Sequence, residues 1–355
     1  MLRDFRNYAR ADVDLAPGLT VICGPNGAGK TNLLEALYFG LTARSCRTSN
    51  EREVVKMGAA VARVEVELEA EDGRHMLEVG FEPGEDKRVR VDGAAVDRPA
   101  AIPARPLVSV FLPERLELVK GAPAGRRAHL DQFVAALWPA RADARRDYSR
   151  ALAQRNALIA RVRAGGASAD LLDPWDAELA RHGEQLMDHR SAAAAAIRPA
   201  FAERAAELGL PEAAELSYRP RSAGDLRAEL RERRDSDVER GFTQHGPHRD
   251  DLALLHDGRP LRTLGSQGQQ RVAVLAMLFA ERDVLVDHER PPLMLLDDVM
   301  SELDESRRTR LADLVRAGGQ AVITTTEAEH VPGAMADDVA IVRVSDGTLA
   351  PAVAA

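Results

Sequence analysis

Several things are scarce in this chain, and each scarcity excludes something. Only two cysteines, Cys23 and Cys46, occur in 355 residues. That excludes a disulfide scaffold and a cysteine zinc cluster, and fits a reducing cytoplasm. No apolar run reaches the roughly 18 residues of a membrane helix. Met1-Leu2-Arg3-Asp4-Phe5 carries charge where a secretory leader needs an apolar stretch. Aromatic residues are 4% of the chain and are not interleaved with basic ones, so single-strand base stacking is not expected. Lysine is confined to Lys30, Lys56, Lys87 and Lys120. None of these is followed two places later by aspartate, as a guanine-specificity motif requires. Positive charge is also short: the net charge of −8 excludes a uniformly basic coat, so any nucleic-acid contact must be a local patch.

What is present is globular. Apolar residues are 45% and charged residues 29%, and at about 150 residues per domain the length predicts roughly two domains. Leu19-Thr20-Val21-Ile22-Cys23 reads as a buried strand, followed by a glycine-rich turn and a helix whose Leu33, Leu34 and Leu37 share a face. From Val61 the period becomes two. Val64, Val66 and Leu68 alternate with Glu65, Glu67 and Glu69, and Asp72-Gly73 and Asp92-Gly93 are turn signals. The expectation is an antiparallel sheet with one wet, acidic face. From about Pro113 the pattern is helical, with Leu130, Phe133, Val134 and Leu137 on one stripe. A break at Ala164-Gly165-Gly166-Ala167-Ser168 separates two helical arms expected to pack antiparallel. Asp173 is expected to cap the second arm with Pro174 at its first position, and Pro199 to kink or end it. After about Asp235 the α/β character returns, with a helix over Val272 to Leu285 and apolar strands at Leu293–Leu296 and Ala321–Thr324. The chain is therefore expected to be one α/β lobe, 1–112 and 236–355, interrupted by a helical insertion, 113–235.

Three segments carry chemistry. Gly24-Pro25-Asn26-Gly27-Ala28-Gly29-Lys30-Thr31 fits G-x-x-x-x-G-K-[ST] in full. Its glycines let backbone N–H groups close around a β-phosphate while the next helix aims its N-terminus at the anion. Lys30 would reach the β- and γ-phosphates, and Thr31 would place its hydroxyl on Mg²⁺. Leu293-Met294-Leu295-Leu296-Asp297-Asp298 delivers a carboxylate to the edge of a buried strand. Asp297 is placed to support Mg²⁺, and Asp298 to orient or deprotonate the attacking water. Gly265-Ser266-Gln267-Gly268-Gln269-Gln270 precedes a helix and reads either as an ordinary Ser266 N-cap or as a second phosphate-binding helix end.

Their order resembles the ABC-type ATPases: phosphate loop, insertion, Ser-x-Gly-Gln loop, apolar strand with Asp-Asp, then Ser301-Glu302-Leu303-Asp304. The resemblance implies that Ser266, Gly268 and Gln269 of one copy cap the γ-phosphate bound by another. Two ATPs would then be sandwiched in a head-to-tail pair, with Ser301 to Asp304 at the interface. Phe5-Arg6-Asn7-Tyr8, Arg44-Ser45-x-Arg47-Thr48, Leu118-Val119-Lys120-Gly121-x-Pro123 and Gly246-Pro247-His248-Arg249-Asp250-Asp251 narrow it further. With the phosphate loop and Gly268-Gln269-Gln270-Arg271, they look like the RecF family of bacterial recombination mediators, relatives of the Rad50 and SMC ATPases.

That family implies an ATP-driven homodimer on duplex DNA at gap junctions and slow, DNA-stimulated hydrolysis. It also implies help in loading RecA with RecR and RecO. Asp298 stands where most ABC ATPases carry glutamate, which suits slow turnover. Thr324-Thr325-Thr326 occupies the strand end where a switch histidine would sit, and Glu114 stands near the usual glutamine. The family places a strand before Phe5-Arg6-Asn7-Tyr8, so here either an edge strand is missing or the start is placed late. Arg44, Arg47, Arg126, Arg127 and Arg249 are candidates for phosphate-backbone contact. His245 and His248 have no companions at zinc spacing. The rival readings are the energising subunit of a membrane transporter and a DNA clamp that holds ATP as structural glue.

Overall fold

The computed structural model describes residues 1–96, 105–210, 213–222 and 224–350. The chain divides into two units, Met1–Pro113 with Glu289–Ala355, and Glu114–His288.

The first unit is built on two six-stranded sheets. The parallel one carries β3 (Leu19–Cys23), β8 (Val108–Phe111), β12 (Leu293–Asp297), β13 (Ala321–Thr325) and β14 (Ala340–Ser345), in the order β14-β3-β13-β12-β8. A hairpin adds β15 (Thr348–Ala350) antiparallel to β14. Every residue of β3, β12 and β13 is buried, as expected for strands covered on both faces. The other sheet is antiparallel: β1 (Leu2–Phe5), β2 (Tyr8–Ala11), β4 (Ala62–Ala70), β5 (Gly73–Phe81), β6 (Arg88–Val91) and β7 (Ala94–Ala95), in the order β2-β1-β4-β5-β6-β7. The β6–β7 turn has Asp92 at φ 50° and Gly93 at φ 80°, the two positive angles of a tight right-twisting hairpin.

Helix α1 (Lys30–Thr42) packs against strands of both sheets, and one apolar core contains Phe5, Leu34, Phe39, Val64, Leu77, Leu295 and Val322. The rings of Phe5 and Phe39 lie 5.6 Å apart. Strand β1 runs into Phe5-Arg6-Asn7-Tyr8, ending at Phe5, and is an interior strand paired with both β2 and β4. The wet face of this sheet is only partly acidic. Beside Glu65 and Glu78 it presents Arg3, Arg10, Arg63 and Arg88, because outward residues alternate with a buried set that begins one position away in each strand.

The second unit is mostly helical. A one-turn helix, α2 (Glu117–Lys120), and α3 (Pro123–Leu137) lead to the arms α4 (Ala144–Arg163) and α5 (Asp173–Glu207). Tyr148 faces Gly183 and Arg155 meets Asp176, so the arms run antiparallel. Strands β9 (Ala214–Arg219), β10 (Asp251–His256) and β11 (Arg259–Pro260) form a small antiparallel sheet. Helices α6 (Leu226–Glu232), α7 (Arg234–Arg240), α8 (Leu261–Leu264) and α9 (Gln267–Asp287) complete it. The remaining helix, α10 (Glu305–Arg316), belongs to the first unit and is N-capped by Asp304, whose carboxylate accepts from the Arg307 amide at 2.9 Å.

Three expectations are corrected here. Helix α5 does not end at Pro199. Pro199 and Ala195 lie on its exposed face, where water can satisfy the carbonyl that proline frees, while Ala193, Ala194, Ile197 and Phe201 hold the buried face in place. Asp173 is the first helical residue rather than the cap, which is Leu172, and the Asp173 carboxylate instead receives Arg234. The compact helical unit extends to His288 rather than ending at 235, because β10 pairs with β9 and α9 packs along α5.

Candidate functional site

The glycine-rich loop joins β3 to α1 at the C-terminal edge of the parallel sheet, where ligands of such sheets bind. Gly24 has φ 155°, and a Cβ there would sit 2.1 Å from the Val344 carbonyl oxygen. Gly29 has φ 116°, and a Cβ there would sit 2.6 Å from Asn7 Nδ2. Gly24 therefore requires glycine for both backbone angle and space, and Gly29 for its backbone angle. Helix α1 starts with no side-chain cap, so the first amides after Gly29 keep their donors directed at the loop. The ammonium of Lys30 is folded back onto the loop, donating to the carbonyls of Gly24 at 2.7 Å and Pro25 at 3.0 Å. Burial pulls its pKa below the ordinary lysine range, opposed by the carboxylates of Asp298 and Asp297. A cation held by weak neutral acceptors beside backbone donors is suited to an anionic ligand.

The second motif meets the first across the sheet. Thr31 Oγ1 donates to Asp297 at 2.9 and 3.0 Å from its two oxygens, 266 residues away in sequence. Thr324, at the end of β13, donates to Asp297 Oδ1 at 2.6 Å and accepts from the Asp298 amide at 3.0 Å. Asp297 is 5% exposed. Burial raises its pKa; the hydroxyls of Thr324 and Thr31 oppose this, and the neighbouring Asp298 adds to it. A buried carboxylate beside a threonine hydroxyl is an oxygen set for a small hard cation. Asp298 has φ 48°, a left-handed angle that aspartate tolerates.

Sequence reasoning missed the residues that brace this loop. In Phe5-Arg6-Asn7-Tyr8, Asn7 Nδ2 donates to the Ala28 carbonyl at 3.1 Å and Tyr8 Oη to the Gly29 carbonyl at 3.0 Å. Asn7 Oδ1 accepts from Asn32 at 2.8 Å. Arg6 clamps the buried Glu35 of α1 with contacts of 2.8 and 2.9 Å. Ser45 and Arg47 converge on the same carboxylate at 2.5 and 3.4 Å, and Arg47 also reaches Asn32 at 2.8 Å. Both motifs are visible in the sequence as residue runs. Their shared target, Glu35, is visible only in the fold. Thr324 was noted only as the occupant of a strand end.

The third motif lies in the other unit. Ser266 N-caps α9 in a capping box, its hydroxyl accepting from the Gln269 amide at 3.2 Å and its amide donating to Gln269 Oε1 at 2.9 Å. Gln269 thus shapes the helix end. Ser266 and Gly268 are exposed, and a Cβ on Gly268 would meet nothing within 4 Å.

Of the arginine candidates, Arg126 is corrected. It is buried and bound to Asp251 at 2.7 and 3.0 Å and to the carbonyl of Gly121 at 2.9 Å. Arg127 donates to the Asp250 carbonyl at 2.7 Å. Arg44 and Arg249 are exposed. His248 is held between Tyr148 Oη at 2.7 Å and the Thr243 carbonyl at 3.1 Å. No helix among the described residues is long and apolar enough to cross a membrane.

The RecF/RecN/SMC N terminal domain family matches residues 1–349. The DNA replication and repair protein RecF of Streptomyces avermitilis is 38% identical over 98% of this chain and 97% of its own length. RecF of Frankia alni is 39% identical over 93% of each. The solved structure of the recombination mediator protein RecF with ATP, in the RecFOR pathway, superposes with a TM-score of 0.84 at 28% identity, covering 98% of this chain and 95% of that one. An Smc head bound to the C-winged helix domain of ScpA shares the fold, with a TM-score of 0.60 at 18% identity over 98% of this chain and 94% of that one. Similarity of this extent, running through both units, places the chain in the RecF family of DNA replication and repair proteins.

Proposed function

We propose that this chain is an ATPase of recombinational DNA repair whose ATP state controls a homodimer on duplex DNA. The observation that carries the reading is the Thr31–Asp297 contact, which joins a complete phosphate loop to a carboxylate on the neighbouring part of the sheet. The solved relative holds ATP, and the loop here has the amides, lysine and oxygen donors that ATP and Mg²⁺ require. Gly24, Pro25, Asn26, Gly27, Ala28 and Gly29 form the cradle, and Lys30 exchanges the Gly24 and Pro25 carbonyls for phosphate oxygens. Thr31 and Asp297 would hold Mg²⁺. When bound, the ion neutralises charge on the β- and γ-phosphate oxygens. Asp298 orients the attacking water. Its carboxylate is one methylene shorter than glutamate, so it sits farther from the water and turnover is slow.

Ser266, Gly268 and Gln269 act in trans. Ser266 and Gly268 at their helix end are exposed, and that end completes the γ-phosphate pocket of a second copy. In the cytoplasm, this dimer on duplex DNA at gap junctions would help RecR and RecO load RecA, with hydrolysis stimulated by DNA and serving as a release switch.

The test is mass determination in solution with and without ATP and duplex DNA, together with turnover measurements. Lys30→Ala is expected to lose ATP binding. Asp298→Asn is expected to bind ATP and accumulate as dimer. Equal ATP affinity in wild type and Lys30→Ala, or a monomeric Asp298→Asn protein at saturating ATP, would refute the scheme. Dimerisation without turnover would leave a clamp that holds ATP as glue.

A further inference from the structure

The antiparallel sheet of the first unit sets four arginines in one line. The register pairs Arg3 with Arg10 and with Arg63, Arg63 with Gly80, and Gly80 with Arg88. Directly opposed residues in antiparallel strands point to the same face. Their neighbours Leu2, Val64, Val79 and Val89 are buried, so the line Arg10, Arg3, Arg63, Gly80, Arg88 faces outward, and all four arginines are exposed. Arg3 has one long contact, 3.7 Å to Asp4. Among the described residues, Arg10, Arg63 and Arg88 form no ion pair. Glu65 and Glu78, opposed in the next outward row, bound the line on one side.

Like charges set directly opposite one another destabilise a strand pair. A fold that keeps Arg3 between two arginines is locally inconsistent, and such conflicts mark places where a partner resolves them. The partner must be an extended polyanion, because the charges form a row and not a pocket. Strands are about 4.8 Å apart, so Arg10 to Arg88 spans about 19 Å. One strand of a duplex sets a phosphate every 3.4 Å or so along its axis, so the row runs beside about five phosphates. No aromatic residue lies in the line, which fits backbone contact without base stacking.

We propose that this arginine row is a sequence-independent seat for the phosphate backbone of duplex DNA, with Gly80 as a vacant step in it. The proposal rests on the duplex-binding reading above and assigns it a surface. A Cβ on Gly80 would come no closer than 4.0 Å to Arg88, and Gly80 is not at a left-handed angle, so the step can be filled.

The test is fluorescence anisotropy of a labelled duplex of arbitrary sequence against salt concentration, using the full chain with ATP and Mg²⁺. Neutralising all four residues (R3Q, R10Q, R63Q, R88Q) is expected to reduce the slope of log affinity against log salt by about 3 to 4, and to weaken binding about 1,000-fold near 0.15 M salt. Gly80→Arg is expected to steepen the slope by about 1 and tighten binding about fivefold. A control variant neutralises Arg161, Arg198, Arg227 and Arg240, exposed residues of the other unit. It should keep the wild-type slope, and all variants should bind a fluorescent ATP analogue equally.

A row variant with wild-type duplex affinity, or a control variant that loses as much, overturns the proposal and leaves duplex binding standing. A row variant that keeps the duplex but loses a polyglutamate probe reassigns the row to an acidic protein, and also overturns it. Failure of the wild type to bind duplex sinks the underlying reading itself.

Discussion

Replacing Thr324 by valine removes one oxygen and nearly preserves shape. That oxygen donates to Asp297 at 2.6 Å and accepts from the Asp298 amide at 3.0 Å. A hydrogen bond to a charged group is worth about 1.5–3 kcal/mol, and a stranded buried N–H costs about 1–3 kcal/mol. Because the two losses share one site they do not add fully, and about 3 kcal/mol is expected. With a urea dependence of about 2–3 kcal/mol per molar, the unfolding midpoint of the first unit should fall by about 1 M. Both tryptophans, Trp138 and Trp175, belong to the other unit. Intrinsic fluorescence would therefore miss the change, and hydrogen-exchange protection of β12 and β13 is the proper readout.

Thr324→Ser keeps both bonds and loses only a methyl group, about 1 kcal/mol. The substitution also bears on pH. Burial raises the Asp297 pKa and the Thr324 hydroxyl is the first group opposing it, so valine raises it further. With a raised native pKa, the native state holds the proton longer than the unfolded chain, and stability falls as pH rises across that window. The valine variant should lose stability up to a higher pH than wild type. A valine variant as protected as wild type, or a serine variant as damaged as the valine one, would refute this account.

Three further outcomes are expected. Asp297→Asn should raise the thermal midpoint of the nucleotide-free protein near neutral pH, by about 1 kcal/mol of relieved charge burial, while calorimetry shows loss of Mg²⁺-dependent ATP binding. Arg155→Met leaves Asp176 and Asp237, both fully buried and each 2.7 Å from the guanidinium, without that partner. The helical unit should lose about 3–5 kcal/mol, read by tryptophan fluorescence in urea. Burial pushes the His248 pKa from 6.5 down to about 4. The unfolded chain then binds the proton first, so stability is lost as pH falls from about 6.5 to about 4, by about 3 kcal/mol, and His248→Gln should flatten that part of the pH profile.

The parts of the site that were legible in the sequence are those in which chemistry demands contiguous residues. Gly24 to Thr31 must be consecutive because one turn and one helix start make the cradle. Leu293 to Leu296 must be an unbroken apolar run because its strand is covered on both faces, and Asp297 ends it at the sheet edge. Ser266 is readable as a helix N-cap before any fold is known; that Gln269 closes a capping box with it is seen only in the fold. Pro199 misled because local propensity ignores which face of the helix is wet. Arg126 misled because an arginine's sequence neighbours do not report the carboxylate it finds 125 residues away.

The amino-acid order alone determined that this is a nucleotide-binding α/β chain with a helical insertion, because phosphate recognition and strand burial are written in short periods and adjacent residues. Only the tertiary structure decided that Thr324 would hold Asp297, that Arg6, Ser45 and Arg47 would meet on Glu35, and that Arg3, Arg10, Arg63 and Arg88 would stand in one line. Those juxtapositions depend on strand register and sheet order, which arise from packing between segments far apart in the chain and leave no local trace.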